Sequence, residues 1–444
     1  MSDNGMMIQD RKPRWKPYFG WWIVLVTGVL SGLGHGFYNY GFSALFKPIA
    51  SELGFSRAAT SVAAGIGRLE GGLDAPITGW LVDRFGPKWI MIFGLAMMSL
   101  GLGLMSCVSS LWSYYVVWGL VTGIGLNVSL TIAVDKTITN WFVKKRGLAL
   151  GMKFTLIGVL GLPVMPLITA LCESQGWRTT CLIWAAVMLC AIPFVGICVK
   201  QKRPEYYGLL PDGAQPRGDS GSEAVGMIEQ GIAYASGSRE TEFTLRQAMR
   251  TRAYWILVAV YAFQMVIAGG LTIHCIPFLT DMGIDPTLAG SMMGIMVLST
   301  VPTRFLGGFL ADRVKRQPLL LAGAFALDAI GFAAFILRPT VPTATLFLIL
   351  YGLGTGAPTT LILVMQGRYF GRKAFGSIMG TANLLRMPAA ILAPVYAGWI
   401  FDRTGSYRTA FTTFLGFALL AALMACFIKP PRRPEVITDV HQIV

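Results

Sequence analysis

Charge is scarce in this sequence. Asp, Glu, Lys and Arg make up 13% of its 444 residues, against roughly 25% in an ordinary soluble domain. Histidine is scarcer still: His35, His274 and His441 stand far apart. No CxxC pair or His/Cys cluster occurs, so no metal site or disulfide framework is indicated. The seven cysteines (Cys107, Cys172, Cys181, Cys190, Cys198, Cys275, Cys426) lie singly, mostly in apolar runs, and read as small buried hydrophobes. No G-x-x-x-x-G-K-[ST] run is present, so nothing suggests a nucleotide site. No nucleophile, base or ligand set clusters, so neither an enzyme nor a cofactor is expected. The N-terminal MSDNGMMIQDRKPRWKP has no cleavage site and reads as a polar basic tail. The formal net charge is +15, but no basic stripe with interleaved aromatics exists, so nucleic acid is not an expected partner.

What the chain does have is apolar length: 54% of it is hydrophobic. A membrane-spanning helix needs about 20 mostly apolar residues. Twelve stretches qualify, roughly 19–46, 58–82, 87–108, 111–139, 144–172, 177–199, 252–280, 285–312, 316–337, 342–369, 373–401 and 407–428. We number them spans 1–12. The expected organisation is a tail (1–18), six helices (19–199), a polar linker (200–251), six helices (252–428) and a second tail (429–444). The linker contains PDGAQPRGDSGSEAVG and reads as mostly soluble. Lys and Arg fall on alternate connections: Arg11–Lys16, Arg84 and Lys88, Lys144–Arg146, the linker, Arg313–Arg316, Arg368–Lys373 and Arg432–Arg433. This bias predicts a multi-pass plasma-membrane protein with both termini and the linker cytoplasmic.

The two halves repeat. GWLVDRFGPK at Gly79 answers GFLADRVKR at Gly308, an offset of 308 − 79 = 229. WFVKKRG at Trp141 answers YFGRKAFG at Tyr369, offset 369 − 141 = 228, and GWRT at Gly176 answers GSYRT at Gly405, offset 405 − 176 = 229. Six helices per repeat make the repeats parallel, with a substrate site expected between them near mid-membrane.

The motif at Gly79, Asp83 and Arg84, repeated at Gly308, Asp312 and Arg313, resembles the loop signature of the major facilitator superfamily, apart from Pro87 where a basic residue is usual. GWWIVLVTG, NWFVKKRGLALGM (Asn140–Met152), IHCIPFLTDMGI (Ile273–Ile284) and APVYAGWIFDRTGSY (Ala393–Tyr407) resemble the monocarboxylate transporters and oxalate:formate antiporters. The similarity covers nearly all but the linker and tails. It implies an all-α membrane fold of twelve helices in two pseudo-repeats, and transport rather than catalysis.

Several charges lie inside the predicted spans. Arg304 is eight residues before Asp312, roughly 12 Å deep, and Arg386 is thirteen after Lys373, roughly 20 Å deep. Neither has an acid three or four residues away, and each must face other helices or water, because lipid would cost several kcal/mol. The planar guanidinium fork suits a carboxylate. The resemblance implies that a cation on span 8, here Arg304, binds substrate carboxylate, and that a second on span 11, here Arg386, does so in the oxalate:formate pattern. Monocarboxylate transporters often carry an aspartate four residues before the span 8 arginine; here Thr300 stands there.

Span 2 carries RLEGGLDAP. Glu70 and Asp74 share a face about 40° apart, whereas Arg68 lies about 200° from Glu70. Two acids on one face repel, so either is a candidate proton carrier or a partner for Arg386. Asp135 and Lys153 lie nine residues either side of Lys144, at equal depth on neighbouring spans, and should pair with each other; Asp135 is the other proton-coupling candidate. Lys136 is left over as a possible anion attractor, and Asp328 reads as structural. His35, Tyr38 and Asn39 on span 1, Tyr261, Gln264 and His274 on span 7, and Asn383 on span 11 are candidate cavity residues. The expected function is secondary transport of a small organic anion, a monocarboxylate with a proton. The alternatives are an anion exchanger or dicarboxylate carrier, and a transporter-like sensor. The expected partners are a small carboxylate, a proton or counter-anion, and the lipid bilayer.

Overall fold

The computed structural model describes residues 18–216, 224–237 and 240–432. The predicted tails, apart from Tyr18 and 429–432, fall outside the described residues, as does the side chain of Arg68. Twelve helical spans cross the described chain, and no strand occurs among the described residues.

Span 1 joins Phe19–His35, a π-helical stretch Gly36–Gly41 and Phe42–Leu53. It passes its predicted end at 46 and stops where Gly54 turns left-handed (φ +67°). Span 2 is Arg57–Leu73 and Ala75–Phe85, broken at Asp74; span 3 is Pro87–Met105. Span 4 begins at Leu111 and ends at Trp141 through two π-helical stretches, Tyr115–Thr122 and Val128–Ile132. Spans 5 and 6 share the run Arg146–Cys198, which turns at Gly176 (φ +79°, ψ +160°). Spans 7–12 are Arg252–Asp281, Pro286–Arg313, Gln317–Leu337, Val341–Phe370, Phe375–Thr404 and Arg408–Cys426. Side-chain oxygens start several of them. Ser56, Ser110, Thr251 and Thr340 accept from first-turn amides of spans 2, 4, 7 and 10, satisfying donors that have no partner inside the helix. Large apolar side chains such as Ile77, Ile197 and Val395 point outward, the inverse of a soluble protein and the surface that lipid requires.

The halves meet along two crossings, span 2 on span 11 and span 5 on span 8. Both depend on missing side chains. A Cβ on Gly79 would lie 2.1 Å from the Gly376 carbonyl oxygen, and one on Gly308 2.1 Å from that of Gly147. The two crossings are equivalent by the repeat, since 376 − 147 = 229 and 308 − 79 = 229.

The linker is not the plain solvated connection expected from its composition. Two short 3-10 turns (Pro204–Tyr207 and Pro211–Gly213) and two helices (Ala224–Gly237 and Leu245–Met249) pack under the bundle. Phe243 N–H donates to Phe370 O at 2.9 Å, fixing the linker to the end of span 10.

Candidate binding site

A cavity of about 310 Å³ lies between the halves at mid-span, walled by spans 1, 4, 5, 7, 8, 10 and 11. It shares His35, Asn39, Thr131, Tyr261, Asn383 and Arg386 with a wider space of about 590 Å³. That space reaches Gly65–Gly72 of span 2 and Pro394 of span 11, so the cavity widens away from the linker.

Arg304 and Arg386 both line the inner chamber. Each sits two residues from a proline in its own helix, Pro302 and Pro388. Proline removes one i→i−4 bond and loosens the helix locally, which membrane helices tolerate beside a cavity. Arg304 passes Gly158 of span 5: a Cβ there would lie 3.4 Å from its guanidinium nitrogen. Arg386 is buried. Its Nε donates to Ala382 O at 2.9 Å, a terminal nitrogen donates to Asn383 Oδ1, and its guanidinium lies 4.2 Å from the centre of the Tyr261 ring. These partners are neutral. The expected pairing of Arg386 with Glu70 or Asp74 is not formed, because span 2 meets span 11 through Gly72 against Met387 rather than through its acids.

Lys153 Nζ donates to Asp135 Oδ1 at 2.8 Å. Both line the chamber, with side chains 2% and 1% exposed. Glu70 and Asp74 stand back from the cavity wall. Asn127 donates to Glu70 Oε2 at 3.0 Å and Thr78 to Asp74 Oδ2 at 3.4 Å, while Glu70 Oε1 and Asp74 Oδ1 have no hydrogen-bond partner. Thr300, where the resemblance would lead one to expect an aspartate, donates to Val297 O within its own helix.

The softer candidates divide. Asn39, Asn383 and Tyr261 line both parts of the cavity, and Tyr38 lines the wider part, its ring stacked on Trp118 at 5.1 Å. Gln264 does not line it: Nε2 donates to Thr355 O at 3.0 Å and ties span 7 to span 10. His274 does not either, being held between Tyr407 Oη (3.0 Å) and Pro394 O (2.9 Å). Asp328 is buried beside Gly354, away from the cavity.

On the linker side the cavity is sealed by the repeated motif. Asp83 accepts from Gly376 N–H (3.0 Å), Ser377 N–H (2.7 Å) and Ser377 Oγ (2.7 Å), at the first turn of span 11. Asp312 accepts from Gly147 and Leu148 N–H, both at 2.8 Å, at the first turn of span 5. A carboxylate there satisfies free amides and faces the positive helix end. The motif arginines take no part in these caps: Arg84 stacks on Trp80 at 5.2 Å and Arg313 on Phe309 at 3.4 Å. Lys136 is not left over to attract anions. It pairs with Asp83 at 2.6 Å and donates to the carbonyls of Arg372 and Lys373.

Below this seal lies a set of charges that sequence reasoning missed. Linker carboxylates Glu205, Asp212, Glu240 and Glu242 meet the 4–5 and 10–11 connections through Arg146, Arg372 and backbone amides. Partial desolvation would raise the Glu242 carboxyl, but Arg203, the Lys373 amide and Arg372 hold it below its usual value. The signal available in sequence was the repeated basic cluster after each aromatic pair, Trp141–Phe142 and Tyr369–Phe370, which needs countercharges from somewhere.

A model of the major facilitator superfamily matches residues 24–394. The chain is 24% identical to the "Oxalate:formate antiporter" of Oxalobacter formigenes, covering 93% of each sequence. It is 23% identical to "Monocarboxylate transporter 13" of Rattus norvegicus, covering 94% of this chain and 92% of the relative. Among solved structures it is similar to the proton:xylose symporter XylE (TM-score 0.72, 16% identity, 93% of this chain and 96% of that one). It is also similar to the human organic anion transporter MFSD10 (TM-score 0.63, 17% identity, 92% and 97%).

Proposed function

Because this chain belongs to the major facilitator superfamily, we propose that it is a secondary transporter carrying a small organic anion by alternating access. Its termini and linker face the cytoplasm and it resides in the plasma membrane, a reading supported by the Lys and Arg bias of the connections.

One observation carries the substrate reading: two guanidiniums, Arg304 and Arg386, line a single chamber, and the acid in that chamber, Asp135, is engaged by Lys153. Arginine presents a fork that matches a carboxylate. Arg304 binds the first carboxylate. Arg386, whose partners are neutral, is available for a second, held in place by Asn383 and the Tyr261 ring. Asn39 and Tyr38 line the approach. This favours a dicarboxylate, or an exchanged pair of anions, over a monocarboxylate moving with a proton. A monocarboxylate would call for an acid beside Arg386 to neutralise the second cation, and the partners of Arg386 are neutral. The names of relatives at 23–24% identity, a monocarboxylate transporter and an oxalate:formate antiporter, support the carboxylate class.

A proton-driven version keeps one supporting observation, the buried carboxyl pair Glu70 and Asp74 with an oxygen each lacking a hydrogen bond. The test is Arg386→Gln in liposomes against mono- and dicarboxylates. Each charge-assisted hydrogen bond contributes about 1.5–3 kcal/mol. Dicarboxylate binding should therefore fall by roughly 10- to 150-fold while monocarboxylate binding changes little. Unchanged dicarboxylate binding with lost pH-driven monocarboxylate uptake would reinstate the proton symporter. An absence of flux with any anion, despite binding, would favour a sensor.

A further inference from the structure

We propose that His35 and Thr131 form a hydroxyl-binding subsite in the wall of the chamber, so that the preferred substrate is a dicarboxylate bearing a hydroxyl group. The inference deepens the anion reading and rests on it.

Both side chains come from the first half. His35 ends the first α-helical part of span 1, immediately before the π-helical stretch Gly36–Gly41. Thr131 lies in the second π-helical stretch of span 4, Val128–Ile132. Such turns recur at functional sites. The two spans touch at this level: Ser31 Oγ, one turn before His35, donates at 3.2 Å to the carbonyl of Leu130, the neighbour of Thr131. Both residues line the inner chamber and the wider space beyond it. Arg304 and Arg386 face the same chamber from spans 8 and 11 of the second half.

Each group has hydrogen-bonding capacity that the protein does not use. His35 Nδ1 lies 3.0 Å from Ser31 O. A carbonyl oxygen can only accept, so Nδ1 carries the proton. A second proton on the ring would add another cation to a chamber that holds Arg304, Arg386 and Lys153 against Asp135, and neighbouring like charges disfavour it. Nε2 is therefore an acceptor, and no donor meets it among the described residues. Thr131 differs from other threonines of these spans. Thr27, Thr137 and Thr155 each donate the hydroxyl to the carbonyl four residues back, whereas Thr131 Oγ1 has no hydrogen-bond partner. A buried polar group left in this state calls for an explanation. A carboxylate brings Nε2 no donor, and a methylene satisfies neither group. An alcohol serves both: its O–H donates to Nε2 and its oxygen accepts from the Thr131 hydroxyl. The substrate is then held from both halves, by its carboxylates on the second and its hydroxyl on the first.

The test compares ligands that differ by a single oxygen. Succinate and malate share a carbon chain and both carboxylates, and malate adds a hydroxyl. Their affinities for the purified full chain in detergent are measured by titration calorimetry, with the better-binding malate enantiomer. Malate should bind on the order of tenfold tighter, the value of two neutral hydrogen bonds. Thr131→Val, which keeps the shape of the side chain, and His35→Leu should each lower the malate-to-succinate ratio to about threefold, and together to about one, with succinate affinity largely unchanged. A structural role would shift both ligands alike and leave the ratio unmoved. Equal affinities in the parent, or a ratio retained in the folded double variant, overturn the subsite; if His35→Leu does not fold, Thr131→Val alone decides. Butyrate and 2-hydroxybutyrate repeat the comparison with one carboxylate. If the second carboxylate is the wrong part of the anion reading, the hydroxyl preference persists in that pair. Succinate and butyrate binding without any hydroxyl preference would refute the subsite and leave the anion reading standing, and failure of every ligand to bind would overturn both.

Discussion

Changing Asp135 to Asn isolates the buried ion pair at the cavity wall. The substitution removes the charge that Lys153 Nζ meets at 2.8 Å, where the two side chains are 2% and 1% exposed. A buried ammonium that loses its partner costs about 3–5 kcal/mol, because Coulomb attraction no longer offsets desolvation. The Phe154 ring, 4.3 Å from Lys153 Nζ, faces the ammonium in the parent as well, so it offsets none of that loss. The expected loss for Asp135→Asn is therefore about 3–5 kcal/mol. Replacing both partners, Asp135→Leu with Lys153→Met, leaves no stranded charge and should recover most of that loss. The assay is thermal unfolding of the purified protein in detergent, completed as a double-mutant cycle, since the residues touch and their effects should not add. If Asp135→Asn unfolds like the parent while pH-driven uptake stops, the pair is not structural and Asp135 is a coupling residue.

Other expectations follow from the same geometry. Arg304→Ala should abolish uptake in liposomes with insertion and folding intact, and Arg304→Lys should largely fail too, because a point charge does not reproduce the fork; near-normal uptake by the alanine variant would sink the assignment. Gly147→Val should prevent linker-side closure, since its Cβ would lie 2.1 Å from the Gly308 carbonyl oxygen, and the separation between spin labels replacing Lys88 and Lys315, on the 2–3 and 8–9 connections, should lengthen as a result. Gln264→Leu should lower the unfolding temperature by removing a buried bond to Thr355 O, at about 1–2 kcal/mol, without changing substrate selectivity; a changed selectivity would put Gln264 in the site. Glu242, held below its usual 4.5 in the folded protein, contributes stability that is present above that value and lost as pH falls through its lowered one. Acidifying the linker face below about 4.5 should accordingly favour the long separations, and Glu242→Gln should reduce that acid sensitivity without removing it, because Glu205, Asp212 and Glu240 stay in place.

The repeat was legible because two copies of Gly-x-x-x-Asp-Arg at one offset need no structure to compare. Arg304 and Arg386 were legible because a charge in an apolar run declares its own cost, and depth follows from counting. Equal distances from Lys144 placed Asp135 and Lys153 at one level. Rotation about a helix axis was harder to read. Span 7 is apolar on nearly every side, so its sequence holds little phase information. Tyr261 faces the chamber, whereas Gln264 and His274, three and thirteen residues on, face spans 10 and 11. Depth also misled at Arg386: Glu70 and Asp74 are suitably deep, but the close approach at Gly72 sets which face of span 2 meets span 11. The linker was missed because composition describes how polar a segment is and not which distant arginine it meets.

The reciprocal caps have a consequence for how this protein changes shape. Asp83 belongs to the first half and holds a helix of the second; Asp312 belongs to the second and holds a helix of the first. Two clasps fastened in opposite senses act as a bivalent link. While one is closed, the other's partners stay at high effective concentration and it refastens readily. Thermal opening of a single clasp therefore leads nowhere, and intermediate, half-undone states are sparsely populated. On the alternating-access reading proposed above, two clasps that release together make the transition between the two sides of the bilayer closer to a switch than to a gradual hinge.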